Sequence, residues 1–150
     1  NGYNMRRYEN WPDRLICFLA DRDRTPLKWG TSDCSLFACD AVNAMNGSDP
    51  GHWFREKYET KRQAFKLLRQ FAGGGLTEAI ERTAKEMDYP EIETEKANSG
   101  DMVLIDVENV HPDAHGLTAA IMACPEVAIA QGKDNLVYIE NPDIKRAWAI

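Results

Sequence analysis

Thr25-Pro26-Leu27-Lys28-Trp29-Gly30-Thr31-Ser32-Asp33-Cys34-Ser35-Leu36-Phe37-Ala38-Cys39-Asp40 changes character at its middle. Up to Asp33 the residues favour turns. Pro26 restricts one backbone angle, Gly30 permits left-handed angles, and Thr31, Ser32 and Asp33 bond readily to nearby amides. From Cys34 onward Phe37, Ala41 and Ala44 recur at helical spacing beside Ala38, Val42 and Met45, and Asn46-Gly47 is a stop signal. Cys34 is therefore predicted in the first turn of a helix. Open amide N–H groups and the positive end of the helix dipole converge there, so the expectation is a thiolate that is nucleophilic near neutral pH. Cys17, Cys39 and Cys124 lie inside apolar runs and are expected to be inert core filler.

Upstream, Asn10-Trp11-Pro12-Asp13 reads as a helix start with Asn10 as the cap, followed by an apolar stripe of Trp11, Leu15, Phe18 and Leu19. Downstream, Asp49-Pro50-Gly51 is a turn. His52-Trp53-Phe54 after it reads as a short helix or an aromatic lid, with His52 better placed as a surface or packing residue than as a base. Thr60 is a cap for a helix bearing Ala64, Phe65, Leu67, Leu68 and Phe71, and Leu76 to Met87 outlines another. Gly73-Gly74-Gly75 between them lacks the context of a phosphate loop and reads as a flexible link. Asp88 to Ser99 is acidic and irregular. After Gly100 the pattern turns to short β-leaning segments at 102–107, 116–122, 127–131, 136–140 and 146–150. Helices first and strands afterwards predict an α+β domain with an antiparallel sheet packed on the Cys34 helix.

The chain has 150 residues, 43% hydrophobic and 28% charged, which fits one domain spanning 1–150 with a substantial core. The four residues ahead of Met5 are read as a remnant preceding the natural start. A net charge of −6 argues against a nucleic-acid groove. Basic stretches such as Lys61-Arg62 with Lys66 and Arg69 read as solvated faces. No apolar run reaches the roughly 20 residues of a membrane span, and no signal peptide opens the chain. The four cysteines lack Cys-x-x-Cys spacing, so reduced thiols in a protein made in a cytosol are expected. Three histidines without a paired spacing give no reason to expect a metal site, and no cofactor is implied.

Thr25-Pro26-Leu27-Lys28-Trp29-Gly30 followed by Asp33-Cys34-Ser35-Leu36, then Gly100-Asp101 before Met102 to Ile105, then His115-Gly116-Leu117, resemble the NlpC-type cell-wall peptidases, a papain-like superfamily. Within it the likeness is greatest to small phage-tail-associated domains. Trp11, Trp29-Gly30-Thr-Ser-Asp33-Cys34, Gly47-Ser-Asp49-Pro50, Tyr58-Glu-Thr60 and Ala147-Trp148 follow their order along nearly the whole chain.

The resemblance implies a papain-like fold and a bacterial wall peptide as substrate. It also implies other phage tail proteins as partners and a place in the virion tail. It makes Cys34 the nucleophile, His115 the base with His111 in reserve, and Gln131 the group orienting the imidazole. Trp29, Gly30, Asp33, Ser35 and Asp101 would shape the site, Asp101 through the turn entering its strand. The chain departs from the enzyme pattern at three places. Leu27 replaces a Tyr that supports the oxyanion site, Leu36 replaces a Gly, and His115 stands one residue nearer the strand Gly than the catalytic His does. These departures support the alternative of an inactive structural or assembly module of a tail tip. An acyl-transfer or deamidating domain using the same dyad is a third reading.

Overall fold

The computed structural model describes residues 7–108 and 116–150. The chain runs α1 (Trp11–Arg22), α2 (Cys34–Asn46), α3 (Lys61–Ala72) and α4 (Leu76–Glu86). It then passes through β1 (Glu91–Ile92), a 3₁₀ turn at Thr94–Lys96, β2 (Met102–Asp106), β3 (Leu117–Cys124), β4 (Val127–Gln131), β5 (Leu136–Glu140) and β6 (Asp143–Trp148). The α+β expectation, helices ahead of an antiparallel sheet, is what is observed. The sheet order is β1-β6-β2-β3-β4-β5, and every neighbouring pair is antiparallel.

The helix boundaries follow local chemistry. Asp33 and Thr60 each accept a bond from the backbone three residues on, and Gly47 and Gly73 close their helices at φ +79° and +74°, angles that glycine adopts without strain. Asn10 occupies the cap position of α1 without a capping bond, because its side-chain oxygen instead accepts from Arg14 Nε at 2.9 Å. Two strand expectations need correction. β6 begins at Asp143, ahead of the predicted 146, and Glu91–Ile92 within the supposedly irregular stretch pairs with Ala147 and Trp148. A two-residue strand carries no alternation to read, and the exposed Asp143 and Lys145 disguise the start of β6.

β5 and β6 are joined by Asn141-Pro142 alone, yet three strands separate them in the sheet. From Glu140 to Asp143 the chain reaches at most about 11 Å, whereas four strand spacings in a flat sheet cover roughly 19 Å. The sheet must therefore curl until its ends approach. Small side chains allow this: Ala120, Ala128, Ala130 and Ala147 lie buried on the inner face with Val103, Ile105 and Met122. Register shifts at Leu104/Ile105 and Met122/Cys124 supply local bends.

On the outer face Met102, Leu104, Ala119, Ile121, Ile129 and Trp148 pack with Phe37, Ala41 and Met45 of α2. Phe37 is fully buried and stacks on Phe18 of α1, with ring centroids 5.8 Å apart. Cys17, expected in the core, is instead exposed on α1, and Cys39 and Cys124 are half-buried. The apolar stripe of α1 at Trp11, Leu15, Phe18 and Leu19 is the face that meets the core, and Cys17 lies off it. Replacing Phe37 with Ala should cost about 3–5 kcal/mol, read from the urea midpoint, since the rigid layers on either side cannot collapse into the void.

Candidate functional site

Asp33 organises the loop before α2. Its carboxylate is 1% exposed. Oδ1 accepts the Leu36 N–H at 3.0 Å, and Oδ2 accepts the Gly30 N–H at 2.9 Å and the Tyr58 hydroxyl. Gly30 is required here. It sits at φ +84°, and a Cβ would lie 2.0 Å from the Tyr58 carbonyl oxygen. Ser32 Oγ donates to the Pro26 carbonyl at 2.8 Å, and the Leu27 N–H to the Lys133 carbonyl at 2.8 Å, tying the loop to the β4–β5 turn. The sequence marks Tyr58 only as part of Tyr58-Glu-Thr60, in the order shared with the tail-associated domains. Its hydroxyl is held protonated, its pKa pushed far up by burial and by the bond to Asp33.

Cys34 follows as the first residue of α2, as expected, and is half-buried. The Phe37 N–H goes to the Asp33 carbonyl and the Leu36 N–H to its side chain, so among the described residues the Cys34 and Ser35 N–H groups are the open donors at this helix start. Ser35 Oγ lies 3.9 Å from Cys34 Sγ. The expected thiolate is not supported by these surroundings. Burial pushes the Cys34 thiol up and the Asp33 carboxylate pushes it further, outweighing the Thr118 and Ser35 hydroxyls and the Ala119 backbone, which favour the thiolate. Thr118, at the start of β3, was not singled out in the sequence, because a threonine in a strand is unremarkable until its neighbour is known. His115 and His111 lie outside the described residues. His52 is exposed and away from the cavity that Cys34 lines.

Gln131 lines that cavity, and the His115 it was expected to orient lies outside the described residues. The Gln131 Nε2 donates to the Thr25 carbonyl at 2.7 Å and the Gly132 carbonyl at 3.0 Å, and its Oε1 accepts from Arg22 Nε at 3.4 Å. Gln131 thus fastens the start of the Cys34 loop to the sheet. Arg22 continues inward to Asp40 at 2.7 Å, and Asp40 meets Arg55 at 2.8 Å, an ion chain behind α2. Asp101 is a turn residue, as expected. It accepts the Asn98 N–H at 3.0 Å and pairs with Arg7 at 2.8 Å. Leu36 is fully buried and is accommodated by Gly51, where a Cβ would lie 2.8 Å from its Cδ2. Leu27 and Trp29 line the cavity beside Cys34.

The cavity measures about 550 Å³. It runs along the inner faces of α3 and α4, past Cys34 and Thr118, to Ala130, Val137 and Ile139 at the mouth of the curled sheet. Among the described residues no cluster of His, Cys, Asp and Glu could hold a metal. A thiol beside the N–H groups of a helix start and a mainly apolar cavity can serve acyl chemistry only where a base removes its proton.

Two measurements probe this site. Tyr58→Phe leaves a buried carboxylate oxygen short of one donor and should lower stability by about 1–3 kcal/mol in urea; an unchanged midpoint would show that the bond is dispensable. In a His111→Ala/His115→Ala variant neither imidazole can draw the proton from Cys34. A raised pKa means a protonated thiol at neutral pH, so its alkylation by iodoacetamide should climb only as pH passes the ordinary value of 9.0. A rate already at its plateau at pH 8 would contradict this.

No curated protein matches the chain. A family model described as a domain of unknown function, DUF6950, matches residues 6–150. Nearly the whole chain, from the segment before α1 to the residues after β6, is covered by that match, and the protein belongs to the DUF6950 family.

Proposed function

We propose that the protein is a papain-like, NlpC-type thiol hydrolase that cleaves a peptide amide of the bacterial cell wall as part of a phage tail. The observation that carries this reading is the position of Cys34 Sγ, at the first residue of α2, on the wall of a cavity beside the N–H groups of Cys34 and Ser35 that start the helix. The order of the Trp29-Gly30, Asp33-Cys34 and Gly100-Asp101 motifs supports the NlpC assignment, and the likeness to tail-associated domains supports the setting.

In this reading the thiol rests protonated, consistent with its upward-shifted pKa, and His115 takes its proton as substrate arrives. The thiolate adds to the amide carbonyl, and the oxyanion is met by the N–H groups at the start of α2. The C–N bond then breaks, with the imidazolium giving its proton to the leaving amine. Water hydrolyses the thioester, releasing a carboxylate and restoring the thiol. Asp33, Tyr58 and Gln131 hold the loop in place and transfer no proton. The upward shift of the Cys34 pKa and the absence of a donor at Leu27 favour the second reading, an inactive tail-tip module that keeps the fold.

Release of free amines from purified bacterial wall separates the two. The hydrolase reading expects release by the wild type, none by Cys34→Ala with an unchanged unfolding midpoint, and a loss of about 10²-fold or more in His115→Ala. Wild-type protein that releases no amine, or a Cys34→Ala variant as active as the wild type, would leave the structural module standing.

A further inference from the structure

The cavity extends well past the Cys34 end where an amide would be cut, and its remaining walls offer few free polar partners. Its walls are built from apolar side chains, among them Ala64, Phe65, Leu68 and Ile80 on the helical side and Val137 and Ile139 on the sheet side. Of the polar side chains there, the Asp33 oxygens, the Tyr58 hydroxyl and the Gln131 amide are already bonded within the protein, and the remaining polar groups, the Cys34 thiol with the N–H groups beside it, the Trp29 indole and the hydroxyls of Ser35, Thr83 and Thr118, are few for a cavity of this length. An extended peptide brings one N–H and one C=O per residue, and each would lose its water without replacement along such a surface. A hydrocarbon chain has no such cost and gains by burial.

Apart from the buried Asp33, whose oxygens are bonded within the protein, the charged residues among the described lining are Lys61 at the start of α3 and Lys133 in the β4–β5 turn, both exposed and neither in an ion pair among the described residues. Lys61 is the first of four cations on α3, with Arg62, Lys66 and Arg69, and that helix carries no acidic residue although the whole chain has net charge −6. Phe65 is 43% exposed, and the Lys61 ammonium lies 5.8 Å from its ring. An apolar trough with positive charge at its rim, on an otherwise acidic protein, complements an apolar chain ending in a negative group.

We propose that this cavity binds a single-chain fatty carboxylate, its hydrocarbon chain lying along the apolar walls beside Cys34 and its carboxylate at Lys61 and Lys133. The proposal goes beyond the hydrolase reading and does not depend on turnover by the thiol.

Calorimetric titration of the Cys34→Ser protein with sodium laurate, kept below its micelle concentration, tests binding without thiol chemistry. A parallel titration with dodecylammonium chloride supplies the same chain with the opposite charge. The expected result is one saturable site for laurate, with dodecylammonium weaker by about tenfold, the difference that one or two partly exposed charges provide. A Lys61→Glu/Lys133→Glu variant, altered only at exposed side chains, should abolish or reverse that preference, and Ala64→Trp should obstruct both chains. Failure of laurate to saturate, equal affinity for the two amphiphiles, or an unchanged preference in the double lysine variant would each overturn the proposal. Absence of amidase activity in the wild type would sink the hydrolase reading and leave this one untouched.

Discussion

A single buried carboxylate links the helical half of the molecule to the Cys34 sulfur. Asp33 accepts from the Gly30 amide before it, the Leu36 amide after it and the Tyr58 hydroxyl from the segment leading into α3. A buried carboxylate is tolerable only when donors surround it, and three surround this one. The same residue caps α2, so the position of Cys34 and the start of the helix are determined by one set of bonds. Gly30 and the backbone at Tyr58 approach closely enough that no larger residue could stand at position 30, which gives the Trp29-Gly30 pair a steric reason.

The second constraint is the curl of the sheet. Alanines on the inner face let the strands bend toward one another, and the outer face retains the bulky Met102, Leu104, Ile121, Ile129 and Trp148 for packing on α2. The open end of the curl meets the α3–α4 pair, and the space between them is the cavity beside Cys34. Its apolar character therefore follows from how the domain is assembled: one wall is the apolar stripe of an amphipathic helix pair, and the other is the inner surface of a bent sheet.

Much of this could be read from local chemistry. The turn-to-helix change at Cys34, the stop at Gly47, the cap at Thr60 and the strands after Gly100 each depend on residues close in sequence, and each is found in the structure. What the pattern missed depends on residues far apart. The exposure of Cys17 reflects which side of α1 faces α2, a matter of angle around a helix that an apolar run does not define. The roles of Tyr58 and Thr118 arise from partners about 25 and 84 positions away. The bond from the Gln131 amide to the Thr25 carbonyl, 106 positions away, was likewise not legible from local pattern. The upward push on the Cys34 thiol reverses an expectation built on the helix dipole alone, because the desolvation of a half-enclosed sulfur outweighs it.

The short Asn141-Pro142 link has an implication for how the molecule is made. β6 must reach across to the slot between β1 and β2, far from β5 in sheet order though adjacent to it in sequence. Until it does, the edge of β2 stays unpaired and the bent surface cannot close. Pairings of such long sequence separation form late and slowly. A nascent chain that has produced four helices and most of its strands would still present a bare strand edge to its neighbours, so crowding during synthesis is where this architecture is most exposed to mispairing.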